Sequence, residues 1–179
     1  MFRKIKPMPS QNNSNVCDEK IFEQVHKKYA QDLYNFTYYK YGEKIDPADK
    51  VQNAFLKLWE NCKDILPEKA KSFLFTVTNN LAINTFKHHQ VVLKYQNEYF
   101  SSQQNNEDPS FLMEEAEYLK KYQQALSLLT PEKRATFLMC KAEGKKHQEV
   151  AELLGVSRKA VEKRLYSAIS ELRKHIKEI

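Results

Sequence analysis

The residues best equipped for chemistry lie close together near the C-terminus: Lys146, His147, Ser157, Arg158, Lys159, Glu162, Lys163 and Arg164. Ammonium, guanidinium and imidazole groups can neutralise phosphates. Arginine can also donate two hydrogen bonds to one guanine edge, so this set suits reading of a nucleic acid rather than bond making. Nowhere in the chain is there a Ser/His/Asp set, a metal-ligand spacing or a glycine-rich phosphate loop, and no catalytic residue is assigned. The adjacent His88 and His89 diverge on a helix and have no further ligands near them, so no metal site and no cofactor is expected.

Such side chains work only when a scaffold holds them in register. The run Gln148-Glu149-Val150-Ala151-Glu152-Leu153-Leu154-Gly155-Val156-Ser157-Arg158-Lys159-Ala160-Val161 reads as helix, tight turn, helix: the pattern of a DNA-reading helix-turn-helix. Ala151 is small where two helices cross, and Gly155 tolerates the positive φ that ends the first. Val150, Leu154, Val156 and Val161 supply a shared core, and Ser157 can cap the second helix. An apolar stripe of Val161, Leu165, Ala168, Leu172 and Ile176 carries that helix almost to the end. Upstream, Thr130-Pro131-Glu132 gives a cap, a first-turn proline and an acid for a helix to about Gly144. Asp108-Pro109 starts another running to Leu129.

The N-terminal half repeats these signals. Asp18 is a candidate N-cap, and Phe22, Val25, Tyr29, Leu33 and Phe36 form one buried stripe on a helix ending near Gly42. Asp46-Pro47-Ala48-Asp49 starts a second helix whose apolar face is Val51, Ala54, Phe55, Leu58 and Trp59. Asp49, Gln52, Lys57 and Glu60 face outward, and their spacing alone reads as a solvated surface. A loop near Asn61–Ala70 precedes a third helix, about Lys71–His89, burying Phe73, Leu74, Val77 and Leu81. On that helix Thr76, Asn79, Asn80, Ile83 and Lys87 recur at spacings of three and four and share a face. Asn84 and His88 complete the polar candidates there.

The expected architecture is all-α: two small helical domains joined by a flexible linker, the C-terminal one a helix-turn-helix. Residues 1–17 read as a disordered tail, 18–89 as the first domain, 90–114 as linker and 115–179 as the second domain. The 179 residues include 3 Gly and 6 Pro, few for an all-β protein, and the formal net charge is +6, compatible with a DNA partner. Cys17, Cys62 and Cys140 are far apart and odd in number, and read as reduced thiols of a cytosolic protein. No secretion signal and no stretch of roughly 20 apolar residues appears, so membrane insertion is not expected.

Three further segments resemble the extracytoplasmic-function group of bacterial sigma factors. Asp49-Lys50-Val51-Gln52-Asn53-Ala54-Phe55-Leu56-Lys57-Leu58-Trp59-Glu60 looks like its D-x-V-Q-x-x-F-x-x-x-W signature. Phe73-Leu74-Phe75-Thr76-Val77-Thr78-Asn79-Asn80-Leu81-Ala82-Ile83-Asn84 is similar to F-L-x-x-I-A-R-N-L-x-x-D. Leu126-Ser127-Leu128-Leu129-Thr130-Pro131-Glu132-Lys133-Arg134 resembles the L-x-x-L-P-x-x-x-R entry to its C-terminal domain. The resemblance covers nearly the whole chain after the tail.

It implies a partner and a job. Asp49, Gln52, Asn53 and Lys57 would dock on core RNA polymerase through its β and β′ subunits. Asn61, Cys62, Lys63, Thr76, Asn79, Asn80, Ile83, Asn84, Lys87 and His88 would read and melt the −10 promoter element, the loop from Asn61 completing a pocket for a flipped base. Lys146, His147, Ser157, Arg158, Lys159, Glu162, Lys163 and Arg164 would read the −35 element, with Arg158, Lys159 and Glu162 at base edges and the later cations near phosphates. An anti-sigma factor is a further possible partner, promoter DNA the essential one, and no small-molecule substrate is implied. Asn53 stands where an acid is usual, Asn79 where Arg is usual and Asn84 where Asp is usual, and Thr130 is inserted before Pro131. Tyr95, Tyr99 and Phe100 either pack on polymerase or on one another. The rival reading, a helix-turn-helix regulator acting without polymerase, would need a sensing or dimerising N-terminal domain in place of these motifs.

Overall fold

A computed structural model describes residues 15–97 and 113–176, with side chains described over 15–87 and 120–176. Among the described residues, regular structure is entirely helical: α1 Glu19–Tyr41, a 3-10 turn Glu43–Ile45, α2 Pro47–Glu60, α3 Pro67–Asn97, α4 Met113–Leu128, α5 Pro131–Lys141, α6 His147–Leu154 and α7 Arg158–Leu172. The start signals act as expected. The Asp18 carboxylate accepts from the N–H groups of Lys20 and Ile21, Asp46 from Asp49, and Thr130 from Lys133, satisfying donors that a helix start leaves orphaned.

Helix α1 buries Val25, Leu33 and Phe36 against α2 and α3, whose Ala54, Phe55, Leu58, Ala70, Leu74 and Phe75 complete the layer. A second cluster in the C-terminal half joins Ala125, Leu129, Phe137, Leu165, Ala168, Leu172 and Ile176. From Leu165 onward, the stripe read along α7 is thus the core of its own domain.

Four expectations change. Residues 15–17 are not tail: the Cys17 N–H donates to Asn15 Oδ1 at 3.1 Å, and Val16 is fully buried. A short polar run hid one apolar anchor and a side-chain-closed turn; residues 1–14 lie outside the described residues. Helix α3 begins at Pro67 rather than near Lys71 and continues to Asn97, because proline suits a first turn. The connecting loop shrinks to 61–66. The Ser101–Asp108 stretch, Tyr99 and Phe100 fall outside the described residues. Trp59, expected in the core, is 48% exposed, its ring edge-on to Phe22 at 5.2 Å.

The fourth correction is covalent. Cys17 and Cys62 are not free thiols but a disulfide, with Cα atoms 4.9 Å apart across a sequence separation of 45. Sequence distance concealed the pair because α1 and α2 lie side by side and bring the start of one to the end of the other. In the chain-entropy view, a loop of that size destabilises the unfolded state by about 4 kcal/mol. Cys140 remains a thiol, and burial pushes its pKa up.

The two halves do not stand apart. Met139, Val150, Ala151, Leu153 and Val161 belong to the same apolar cluster as Leu33, Phe36 and Phe75. Polar contacts clasp the seam. The Arg134 guanidinium donates through Nε to the Tyr39 carbonyl at 2.8 Å and through Nη2 to that of Lys40 at 2.7 Å, capping carbonyls that the end of α1 leaves unpaired. Asn35 donates to the Glu143 carboxylate at 2.8 Å, and Lys145 bridges Glu143 at 2.6 Å and Asp32 at 3.0 Å. Burial by itself lowers the Lys145 pKa, but its hydrogen bonds to Glu143 and Asp32 outweigh that and raise it. Lys145 is therefore committed to the seam.

Candidate nucleic-acid interface

In the helix-turn-helix, Gly155 has φ +64° and ends α6, its N–H donating to the Ala151 carbonyl. The Val156 N–H reaches the same carbonyl at 3.0 Å. The chain reverses within three residues, and the Ser157 hydroxyl accepts from Ala160 N–H at 3.2 Å, starting α7. Buried Val161 and Leu165 turn one side of α7 inward, so Ser157, Arg158, Lys159 and Lys163 are left exposed. Arg158 Nε donates to the Glu162 carboxylate at 2.9 Å, and His147 Nδ1 lies 3.6 Å from the same oxygen. That carboxylate orients the arginine across the helix face. Lys146 is exposed, its backbone N–H donating to Glu149 Oε2 at 2.8 Å.

Arg164 is placed differently from the other cations of α7. It is half-buried and lines a cavity of about 380 Å³ between the two halves, together with Glu152 and Gly155 from one side and Lys71, Thr76 and Asn79 from the other. Part of the α3 polar face thus looks into this seam.

Along α3, Thr76, Asn80, Asn84 and Lys87 are exposed, whereas Ile83 packs on the small cluster of Tyr41, Ile45 and Ala82. Asn79 has its carbonyl oxygen committed: Lys40 Nζ and Tyr41 Oη both donate to it at 2.9 Å. Burial and the nearby Glu132 charge push the Tyr41 pKa to about 12, so this phenol stays a donor. The His88 side chain lies outside the described ones. In the loop before α3, Asn61 donates to the Lys57 carbonyl at 2.7 Å, Lys63 is exposed and Cys62 is buried in its disulfide. A sulfur spent in that bond cannot face a base.

On α2, Gln52 and Lys57 are exposed. Asn53 donates to the carbonyl and the carboxylate of Asp49, both at 2.9 Å, and a hydrogen bond from Lys50 holds the Asp49 carboxyl below its usual range. Beside them runs a groove lined by Phe22, His26, Val51, Phe55, Leu56 and Trp59, with Leu56 60% exposed. Sequence reasoning missed this groove by assigning Trp59 inward. The available signal was Leu56, an apolar residue lying off the buried stripe.

Comparison with known proteins fits both halves. The family model for Sigma-70 region 2 matches residues 25–91, and that for Sigma-70, region 4 matches residues 119–172. The ECF RNA polymerase sigma factor SigE of Mycolicibacterium smegmatis is 22% identical over 157 residues, covering 87% of this chain and 61% of that protein. The ECF RNA polymerase sigma factor SigX of Bacillus subtilis is 24% identical over 164 residues, covering 88% of this chain and 84% of that protein.

Proposed function

Because this chain belongs to the extracytoplasmic-function group of the sigma-70 family, we propose that it binds core RNA polymerase and directs it to promoters. It acts by binding, without catalysis of its own. Its place of work is the bacterial cytoplasm, where polymerase and chromosome are, and none of its helices is long and apolar enough to cross a membrane among the described residues. The observation that carries this reading is the pairing, on one chain, of a cation-bearing recognition helix with an exposed apolar groove flanked by Gln52.

The groove and its polar edge (Asp49, Gln52, Asn53 and Lys57) dock on the β and β′ subunits, an aromatic-lined contact with a polar rim. Arg158, Lys159 and Glu162 read base edges of the −35 element, while Lys146, His147, Lys163 and Arg164 hold phosphates, Ser157 fixing the start of the helix. Thr76, Asn80, Asn84 and Lys87, with Asn61 and Lys63 in the loop, hold unstacked bases of the −10 element. Capturing such bases shifts the duplex toward opening. An anti-sigma factor is the partner that would hold the chain in reserve.

Run-off transcription and co-elution with core polymerase test this. The chain should co-elute with core enzyme and redirect its start sites, and should bind free promoter DNA poorly. Gln52→Ala combined with Leu56→Asp should abolish co-elution while the helical content is unchanged. A chain that never co-elutes, or one that binds specific DNA equally well without polymerase, would leave the regulator reading in its place.

A further inference from the structure

The disulfide joins two segments that do not need it for packing. Phe22 on α1 already meets Trp59 on α2 at 5.2 Å and Phe55 at 6.0 Å, so the helices stay adjacent whether or not the sulfurs are bonded. What the bond adds is fixation of the segments that project beyond them: the entry turn Asn15–Cys17 and the loop 61–66. Cys17 is half-buried directly before the Asp18 cap, and its N–H is held by Asn15. Cys62 is buried, while its neighbours Asn61, Lys63 and Asp64 are exposed. The bond therefore anchors the polar stretch at Cys62, with Ile65 the second inward residue of the loop, and leaves Asn61, Lys63 and Asp64 outward.

We propose that Cys17 and Cys62 are a reversible thiol–disulfide pair controlling promoter opening by this loop, an inference that rests on the function proposed above. A protein that works on polymerase and DNA meets a reducing thiol pool, where disulfides are transient and redox-sensing rather than structural. Oxidation proceeds by exchange with a small-molecule disulfide of the glutathione type. The thiolate of half-exposed Cys17 attacks one of its sulfurs, forming a mixed disulfide and releasing one thiol. The Cys62 thiolate then attacks the Cys17 sulfur, closing the protein disulfide and releasing the second thiol. Two protein thiols are oxidised, one small disulfide is reduced, and the two protons leave with the released thiols. Cys140 is remote from the pair in the chain and partly buried, with its pKa raised by burial, and takes no part.

The oxidised form is the active one. Without the bond, Ile65 alone seats the loop in the core, and residues 61–64 must lose freedom when they close on a flipped base. With it they have lost that freedom already, and pre-organisation of this kind strengthens binding. Reduction should slow open-complex formation by about fivefold to thirtyfold and leave co-elution with core polymerase unchanged, since the groove on α2 is untouched.

The test uses the full chain equilibrated in glutathione buffers of graded ratio, with disulfide content read by non-reducing peptide mapping. Promoter opening by the reconstituted holoenzyme is followed from the fluorescence of a base analogue in the −10 element. The opening rate should track the Cys17–Cys62 disulfide fraction. Cys17→Ser should open at the rate of the reduced chain under every buffer, and Cys140→Ser should respond like the unmodified chain. Equal opening rates in the oxidised and reduced chain, or a Cys17→Ser chain that still responds, overturn the proposal while leaving the sigma function standing. So does a disulfide that resists every buffer ratio. A chain that forms the disulfide reversibly but neither binds core polymerase nor opens a promoter in either state overturns the function, and this inference with it.

Discussion

Arg158 and Glu162 show how a single pair can hold specificity in reserve. Their hydrogen bond at 2.9 Å, on an arginine side chain 65% exposed, keeps the guanidinium ordered and facing solvent. In water such a pair contributes little to stability, so exchanging the carboxylate for a guanine edge costs the fold almost nothing. Arg158→Ala should therefore leave the thermal midpoint nearly unchanged but alter the preferred −35 sequence, losing about 1–3 kcal/mol of discrimination at one base pair. Lys163→Ala should weaken all promoters alike. Selection from a promoter library with each holoenzyme distinguishes the two. A uniform loss with Arg158→Ala would remove its base-reading role.

At the scale of elements, the turn between α6 and α7 decides whether those side chains are presented at all. Gly155 sits at φ +64°, and a Cβ added there would meet nothing within 4 Å. The cost of replacing it is therefore backbone strain alone, without a clash. Gly155→Val should destabilise by about 1–2 kcal/mol and Gly155→Asn by less, read as a shift of the urea midpoint. Equal midpoints for the two would contradict the strain argument. This turn was legible in the sequence because glycine, a following Ser cap and small Ala151 each answer a local requirement. The start of α3 was less so: Pro67 suits a first helical turn as well as it suits a loop, and local pattern alone does not choose.

For the whole molecule, the seam between the halves is the governing feature. Promoter elements named −10 and −35 lie about 25 base pairs apart, roughly 85 Å along a duplex at 34–36 Å per turn. Yet Thr76 and Arg164 line one cavity, so a chain reading both elements at once must part along this seam. Alkali should open it as well. Burial, with a hydrogen bond to Glu143, raises the Tyr39 pKa from 10.0 to about 12, and burial raises Tyr41 likewise; Lys145 is raised too. A raised folded-state pKa means that the stabilisation is complete below the unfolded value and lost as pH climbs through the folded one. The window is thus between pH 10 and about 12. Energy transfer between dyes on α1 and α6 should fall across that window, and should fall in the promoter complex too. Constant transfer in both would mean the seam is permanent.

The helices, their caps, the helix-turn-helix and the outward cations of α7 were determined by the sequence itself, because each depends on groups within about four residues of one another. Asp18, Asp46 and Ser157 cap the helices that begin just after them, and a stripe such as Val161 to Leu172 needs only helical periodicity. Tertiary structure alone decided the rest. Cys17 met Cys62, Arg134 met the end of α1, Asn79 was claimed by Lys40 and Tyr41, and Trp59 came to border an open groove. Each of these joins residues far apart in the chain, through packing that local pattern does not encode.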